Sequence, residues 1–496
     1  MAKTIMIQGT ASNVGKSLIV AALCRIFKQD GYRVAPFKAQ NMALNSYITE
    51  DGLEMGRAQV VQAEAAGIAP LVDMNPVLLK PTSDTKAQVI VHGEVFDNLS
   101  AADYYAYKQT LAPKIQDSFE RLNADFDILV IEGAGSPAEI NLRENDIVNM
   151  HVARLAGAPV ILAGDIDRGG VFAAIAGTLL LFTPEERRFV KGLLINKFRG
   201  NRALLESGLR KIEEIACVPV LGVVPYLSVD IDDEDSLSER FRHRDAPAPV
   251  VDIAVLRLPH IANFTDFNAL SRIPGAGVRY VDRPDRLGNP DLLVIPGTKN
   301  TMADLAWLRK TGFEKPVKTL HYQAGKPVFG ICGGYQMLGK RLSDPCGVEH
   351  GGEMEGLGLL NAETVFTREK VRTRAAGVFA PLTGILAPLS GRPVEGYEVH
   401  MGLTDTFHAP PVVYCNGKAD GAFQDNVYGA YMHGIFDLEG EALFHALREA
   451  KGAPRPKDGE LTSFHDYKEA QYDALADGVR THVDLGKIYA ILEEGV

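Results

Sequence analysis

Thr4-Ile5-Met6-Ile7-Gln8-Gly9-Thr10-Ala11-Ser12-Asn13-Val14-Gly15-Lys16-Ser17 decides how the first half of this chain folds. Thr4 to Gln8 is a short, mostly apolar run, the pattern of a buried strand. Gly9 and Gly15 bracket a loop of small residues. The segment after Gly15 carries Leu18, Val20, Ala21, Leu23, Cys24 and Phe27. That spacing predicts a helix, and Gly31 can cap its end. Strand, glycine loop, Gly-Lys-Ser and helix together make a P-loop, whose backbone N–H groups cradle phosphate at a helix start. Gly9, Thr10, Asn13, Val14, Gly15, Lys16 and Ser17 are the expected nucleotide contacts. Lys16 would reach the β- and γ-phosphates, and the Ser17 hydroxyl would ligate Mg2+. The distance from Gly9 to Gly15 is one residue longer than in the common form of the motif.

Outward from this loop, apolar runs alternate with helical segments: Tyr32 to Phe37, Asp127 to Ile131, Pro159 to Ala163 and Gly192 to Ile195. Continuous apolar strands separated by helices imply a parallel sheet covered on both faces, with chemistry at the carboxyl ends of its strands. Those ends carry Lys38, Glu132, Asp165 and Asn196. Glu132 and Asp165 suit Mg2+ bound to phosphates, Lys38 suits a transferring phosphoryl group, and Asn196 stands where a base is often read. The bland reading of each is a solvated polar residue at a strand end. From Glu54 to Gly67 the residues favour a helix; Arg57, Gln59 and Glu64 on it fit a solvated face as well as a substrate surface.

Composition narrows the class. The 496 residues allow two to four domains, and 46% hydrophobic with 23% charged residues is the balance of an ordinary globular protein. A formal net charge of −11 argues against nucleic-acid binding. No apolar stretch reaches the length of a membrane span, and the N-terminus has no signal-peptide pattern. The five cysteines are scattered without a CxxC pair. These features predict a cytoplasmic enzyme without disulfides or structural zinc.

After the acidic and proline-rich segment 229–250, expected to be a linker, a second strand series begins at Val251. Within it, Val328-Phe329-Gly330-Ile331-Cys332-Gly333-Gly334-Tyr335-Gln336 reads as a strand, a glycine-flanked elbow and a helix start. A helix N-terminus favours thiolate over thiol, so Cys332 is the candidate nucleophile; a small core cysteine is the alternative. A nucleophilic thiol needs a base. His433 and His400 both stand where apolar strands end, and His433 is preferred because it closes the last strand of the module. Gly297, in a strand-to-turn segment, and Gly333 are candidate oxyanion-hole donors. The tail after residue 440 reads as helical, with Ser463 and Asp466 as a capping box, and is expected to pack across a domain without supplying a catalytic group.

A phosphate site and a thiol acyl-transfer site in one chain fit a single scheme. ATP turns a carboxylate into a reactive acyl phosphate, while the thiol releases ammonia from glutamine. The residues in fact resemble known families. Cys332 with its glycines, together with Tyr431-Met432-His433-Gly434, is similar to class I glutamine amidotransferases of the cobyrinate-synthase subtype. The Gly9-to-Ser17 loop resembles that of dethiobiotin synthetase. The whole chain is similar to the cobyric acid synthase family. The match includes Pro36 to Met42, Gly56-Arg57-Ala58-Gln59, Asn75 to Pro81, Asp165 to Gly170 and Gly396 to Gly402.

This resemblance implies two doubly wound, mostly parallel-sheet α/β domains, at 1–228 and 251–440, and a helical tail at 441–496. It implies ATP and Mg2+ as cofactors, with glutamine and a corrinoid as substrates. Adenosylcobyrinic acid a,c-diamide would be amidated on its b, d, e and g carboxylates. Cys332 becomes the nucleophile and His433 the base, and Asn41, Asn45, Arg57 and Gln59 become corrinoid or phosphate contacts. One departure stands out: the position two after His433, commonly glutamate in class I enzymes, is Ile435, and the nearest acid is Asp437. The third triad member is therefore unassigned. Two rivals remain: the same chemistry on cobyrinic acid or another polycarboxylate, and a P-loop switch ATPase carrying an inactive amidotransferase module. Association into a homo-oligomer is left open.

Overall fold

The structure is a computed structural model that describes residues 1–83, 85–232, 250–454 and 463–496. One sheet is built of six parallel strands in the order Val220–Pro225, Val190–Phe198, Val160–Asp165, Lys3–Gly9, Ile128–Glu132 and Val34–Phe37. Alternation along Lys3–Gly9 divides its side chains between two apolar layers. Ile5 and Ile7 pack with Ile19, Leu23 and Phe27 of the helix Lys16–Gln29. Met6 joins the layer that holds Ile115, Phe119 and Leu122 of the helix Ala112–Asp125. Each such side chain, fully buried, contributes about 1.5–3 kcal/mol.

A second sheet repeats the plan. Ala276–Val281, Val251–Leu256, Leu292–Ile295, Val328–Ile331 and Val427–Ala430 run parallel, and Ala422–Gln424 adds an antiparallel edge. The expected pair of mostly parallel α/β sheets is thus present. A third sheet, which the residue pattern did not suggest, is built around the long antiparallel hairpin Glu363–Phe379 and Pro393–Asp405.

Apolar contacts at two places help join the halves. The small hairpin Ser46–Ile48 and Glu54–Gly56 of the first half docks on the strand Pro393–Asp405, where Ile48 packs with Tyr397 and Val399. The helices Phe464–Arg480 and Leu485–Glu494 return across the chain to the first sheet. Their Tyr472, Leu475, Val479, Ile488 and Leu492 enter the same core as Ile5 and Ile7. Ser463 Oγ accepts from Asp466 N at 3.1 Å, the cap expected for the first of them.

The segment expected to be a linker departs from expectation at its start, because Asp230 and Asp232 are ion-paired rather than solvated. Asp232 meets Arg57 at 2.5 Å and Asp230 meets Arg272 at 2.8 Å. Residues 233–249 lie outside the described residues.

Candidate active site

Cys332 sits between the strand Val328–Ile331 and the short helix Gly333–Leu338 with φ 51° and ψ −110°. A non-glycine residue in that region costs about 1–3 kcal/mol, so the surrounding packing must hold it there. The flanking glycines explain how: a Cβ on Gly334 would lie 1.9 Å from Ile295 O, and one on Gly330 2.7 Å from Gly334 O. Only bare backbone lets the new helix start this close to the preceding strand. The Cys332 side chain is buried beneath the strand Pro393–Asp405, with Sγ 3.6 Å from Val399 O.

His433 lies beside this thiol. A Cβ on Gly297 would stand 2.7 Å from His433 Cε1, so this candidate oxyanion glycine borders the imidazole; one on Gly333, the residue after Cys332, would stand 2.7 Å from Thr298 Cγ2. The orienting acid is Asp266, in the turn Phe264–Phe267 that follows the first strand of the second sheet. Asp266 Oδ2 is 2.8 Å from His433 Nδ1, and Oδ1 accepts from Gly434 N at 3.0 Å. Burial works against protonation of His433. The Asp266 charge, the Asp266 hydrogen bond and contact with Cys332 overcome it and push the imidazole up to about 10.

Asp437, the acid nearest to His433 downstream, is not that partner. Burial and the neighbouring Asp266 charge push its carboxyl up to about 8, so it is a neutral acid near pH 7. His400, the rival base, is committed elsewhere: Nδ1 is 2.9 Å from Gly402 O, and its ring stacks on Tyr431 at 3.6 Å. Nor does it end a strand, since Pro393–Asp405 runs through it.

At the other end of the molecule, Gly15 caps the helix Lys16–Gln29 at φ 93°, a conformation open to glycine. Lys16 Nζ donates to Ala11 O and Gly135 O at 3.0 and 2.9 Å. Glu132 gathers two of the predicted groups: its Oε1 accepts from Ser17 Oγ and Lys38 Nζ, both at 2.8 Å. Its Oε2 accepts from Gln62 Nε2 at 2.6 Å. A hydroxyl and a carboxylate beside a P-loop are hard oxygen donors that fit Mg2+, which completes its shell with water and phosphate.

Asp165 is placed differently, drawn to Lys197 at 3.1 Å and Arg168 at 3.8 Å. Asn196 stands near the end of the strand Val190–Phe198. Its Nδ2 donates to Val14 O at 2.7 Å, so it braces the P-loop.

Arg57 is paired with Asp232. Asn41, at 3% exposure, donates to Gln59 Oε1, and both Asn45 and Gln59 are fully buried. Complete burial removes Asn45 and Gln59 from the reach of a macrocycle in this conformation.

Charged groups also meet at the junction. Glu54 is fully buried between Lys80 (2.8 Å) and Lys370 (2.5 Å), and Gln88 Oε1 accepts from Lys299 (3.0 Å) and Lys370 (3.1 Å). Burial, reinforced by Lys370 and Lys80, lowers Lys299 to about 7. Lys80 belongs to the Asn75-to-Pro81 segment matched in the sequence, whereas Gln88 and Lys370 came from no motif.

A thiol–imidazole–carboxylate site on one parallel sheet and a P-loop site on another agree with what known proteins show. Residues 252–440 match the family model for the CobB/CobQ-like glutamine amidotransferase domain. Residues 5–236 match that for the CobQ/CobB/MinD/ParA nucleotide binding domain. Fold and site together define a glutamine amidotransferase ligase, an enzyme with a nucleotide-binding half.

Full-length relatives narrow this further. A cobyric acid synthase of Ruminiclostridium cellulolyticum is 56% identical, covering 100% of this chain and 98% of its own length. Those of Lachnoclostridium phytofermentans and Yersinia enterocolitica are each 53% identical, covering 100% and 99% of this chain and 100% and 98% of their own. The chain belongs to the cobyric acid synthase family and to amidation in cobalamin biosynthesis. Among the described residues, no helix is long and apolar enough to cross a membrane.

Proposed function

We propose that this enzyme uses ATP and glutamine to amidate the b, d, e and g carboxylates of adenosylcobyrinic acid a,c-diamide, giving adenosylcobyric acid. The observation that carries the reading is the pairing, in one chain, of the Cys332–His433–Asp266 site with the Lys16–Ser17–Glu132–Lys38 site. A carboxylate resists ammonia because oxide is a poor leaving group. Transfer of the γ-phosphoryl group to a carboxylate oxygen gives an acyl phosphate and ADP. Lys16 and Lys38 stand where negative charge accumulates in that transfer. Ser17 and Glu132 would hold Mg2+, which supplies charge neutralisation between the phosphates.

In the other half, Cys332 sulfur adds to the side-chain carbonyl of glutamine, and His433 passes the thiol proton to the leaving nitrogen, so ammonia departs and a thioester remains. Water then cleaves the thioester, giving glutamate and restoring the thiol. Asp266 fixes the imidazole tautomer and stabilises its protonated form. Gly297 and Gly333 border the space where the carbonyl oxygen would acquire charge. Ammonia attacks the acyl phosphate carbon, the amide forms and inorganic phosphate leaves.

The test is to supply the a,c-diamide, cobyrinic acid and unrelated polycarboxylates with ATP and glutamine, then follow mass and glutamate together. The expected result is stepwise replacement of hydroxyl by amino groups on the a,c-diamide alone, with one glutamate per amide. A protein that leaves the a,c-diamide unchanged overturns the assignment.

A further inference from the structure

The ring of Tyr397 stacks on His433 at 5.4 Å, and its hydroxyl donates to Ser46 O at 3.0 Å. Ser46 N in turn donates to Asn263 Oδ1, so the amidotransferase half grips the hairpin at this point. Behind Ser46 the chain places a group of buried carboxamides. Asn45 precedes it, and Asn45 O accepts from Arg57 N, the first residue of the helix Arg57–Ala66. Gln59 and Gln62 stand three residues apart on this helix, hence on one face. Gln62 ends the series on Glu132 at the phosphate site. Asn45, Gln59 and Gln62 are all fully buried.

Four of their polar atoms, Asn45 Nδ2, Asn45 Oδ1, Gln59 Nε2 and Gln62 Oε1, have no hydrogen-bond partner among the described residues. Buried amide atoms are nearly always paired, and leaving them unpaired is costly. Four such atoms between two reaction sites point to a small polar guest that visits and leaves.

We propose that Asn45, Gln59 and Gln62 line the passage by which ammonia travels from Cys332 to the acyl phosphate beside Glu132 and Lys38. The inference rests on the functional reading above. Ammonia needs a donor to its lone pair and acceptors for its hydrogens, and a carboxamide offers both without charge. A carboxylate wall would hold ammonium, whereas an apolar wall would not replace lost hydration. The guest moves unchanged, so no bond is made or broken along the way. Gly56 stands among these amides: a Cβ there would lie 2.8 Å from Asn41 Nδ2 and 3.0 Å from both Asn75 Oδ1 and Gln59 Oε1. Its φ of −68° and ψ of 138° suit alanine as well as glycine, so a methyl group can be added to the wall without backbone strain.

The experiment uses the full chain with amide-15N glutamine, ATP, the a,c-diamide and excess unlabelled ammonium chloride. The variants are Asn45→Leu and, separately, Gly56→Ala. Wild type is expected to place mainly 15N in the product with one glutamate per amide. Both variants should release glutamate within about twofold of wild type, yet form about fivefold less 15N amide per glutamate. Amidation from ammonium alone should persist in both. One glutamate per 15N amide in both variants overturns the passage. So does a parallel fall of the ammonium-driven rate, which would place these residues in the acid-activating site or in folding. If Asn45→Leu does not fold, Gly56→Ala decides alone. A wild-type enzyme that moves no 15N from glutamine into the acid overturns the functional reading itself, and the passage with it.

Discussion

Asp266→Asn is the sharpest perturbation of the amidotransferase half. In the native protein both carboxylate oxygens are used, one on His433 Nδ1 at 2.8 Å and one on Gly434 N at 3.0 Å, and both side chains are almost wholly buried. Asparagine keeps the volume but removes the charge, and it must turn an N–H toward one of two donors. Removing one member of a buried ion pair costs about 3–5 kcal/mol. The neutral amide also no longer fixes the imidazole tautomer or stabilises its protonated form, so glutamine hydrolysis should fall by roughly 100-fold or more.

On the proposed scheme ammonia-driven amidation belongs to the other sheet and should be unchanged, so the assay measures both nitrogen sources side by side. The pH dependence has a definite sign. His433 has a folded value of about 10 against an ordinary 6.5. The stability it gains is therefore fully present below about pH 6.5 and is lost as pH rises toward 10. The difference in Tm between wild type and Asp266→Asn should be widest in mild acid and should narrow with alkalinity. Full glutamine-dependent activity in the variant, or an equal loss with ammonia, would refute the assignment of Asp266 as the residue that orients His433.

Cys332→Ala should abolish glutamine-dependent amidation and leave the ammonia-dependent rate intact, whereas Lys16→Ala should impair both; the two nitrogen sources again separate the outcomes. Gly297→Ala would place a methyl group 2.7 Å from His433 Cε1, so glutaminase kcat should fall by at least about tenfold with little change in Tm. Glu54→Gln should destabilise the junction by about 3–5 kcal/mol, because two buried lysines lose their anion. Lys370 and Lys80 outweigh burial and hold the Glu54 carboxyl below its ordinary 4.5, so wild type should keep this contribution above that pH and lose it in stronger acid. Thermal unfolding across pH checks both statements.

Much of the scaffold was legible because it depends on local signals. Ile5, Met6 and Ile7 announce a buried strand by themselves, and the glycines around Cys332 announce an elbow because nothing else fits there. Asp266 was missed although a usable rule existed: it follows the carboxyl end of Val251–Leu256, where parallel sheets gather chemistry. The long hairpin of the third sheet was illegible for another reason. Glu363–Phe379 mixes charged and apolar residues without clean alternation, since parts of it face solvent and parts face the junction. Asp232 read as a solvated linker residue because its partner, Arg57, lies 175 positions earlier. Asn196 was placed at the correct strand end, but sequence position alone did not reveal that its amide donates to Val14 O.

The return of the helices Phe464–Arg480 and Leu485–Glu494 to the first sheet constrains the order of assembly. The nucleotide half begins the chain, yet part of its core is synthesised only after the amidotransferase half. During translation the P-loop domain therefore waits with one face bare, while the second sheet can fold from consecutive residues. The core of the nucleotide-binding half is thus completed by residues that follow the whole amidotransferase half. A chain ending before Phe464 would leave Ile5, Ile7 and the helix Lys16–Gln29 without the apolar cover that Tyr472, Leu475, Val479, Ile488 and Leu492 supply.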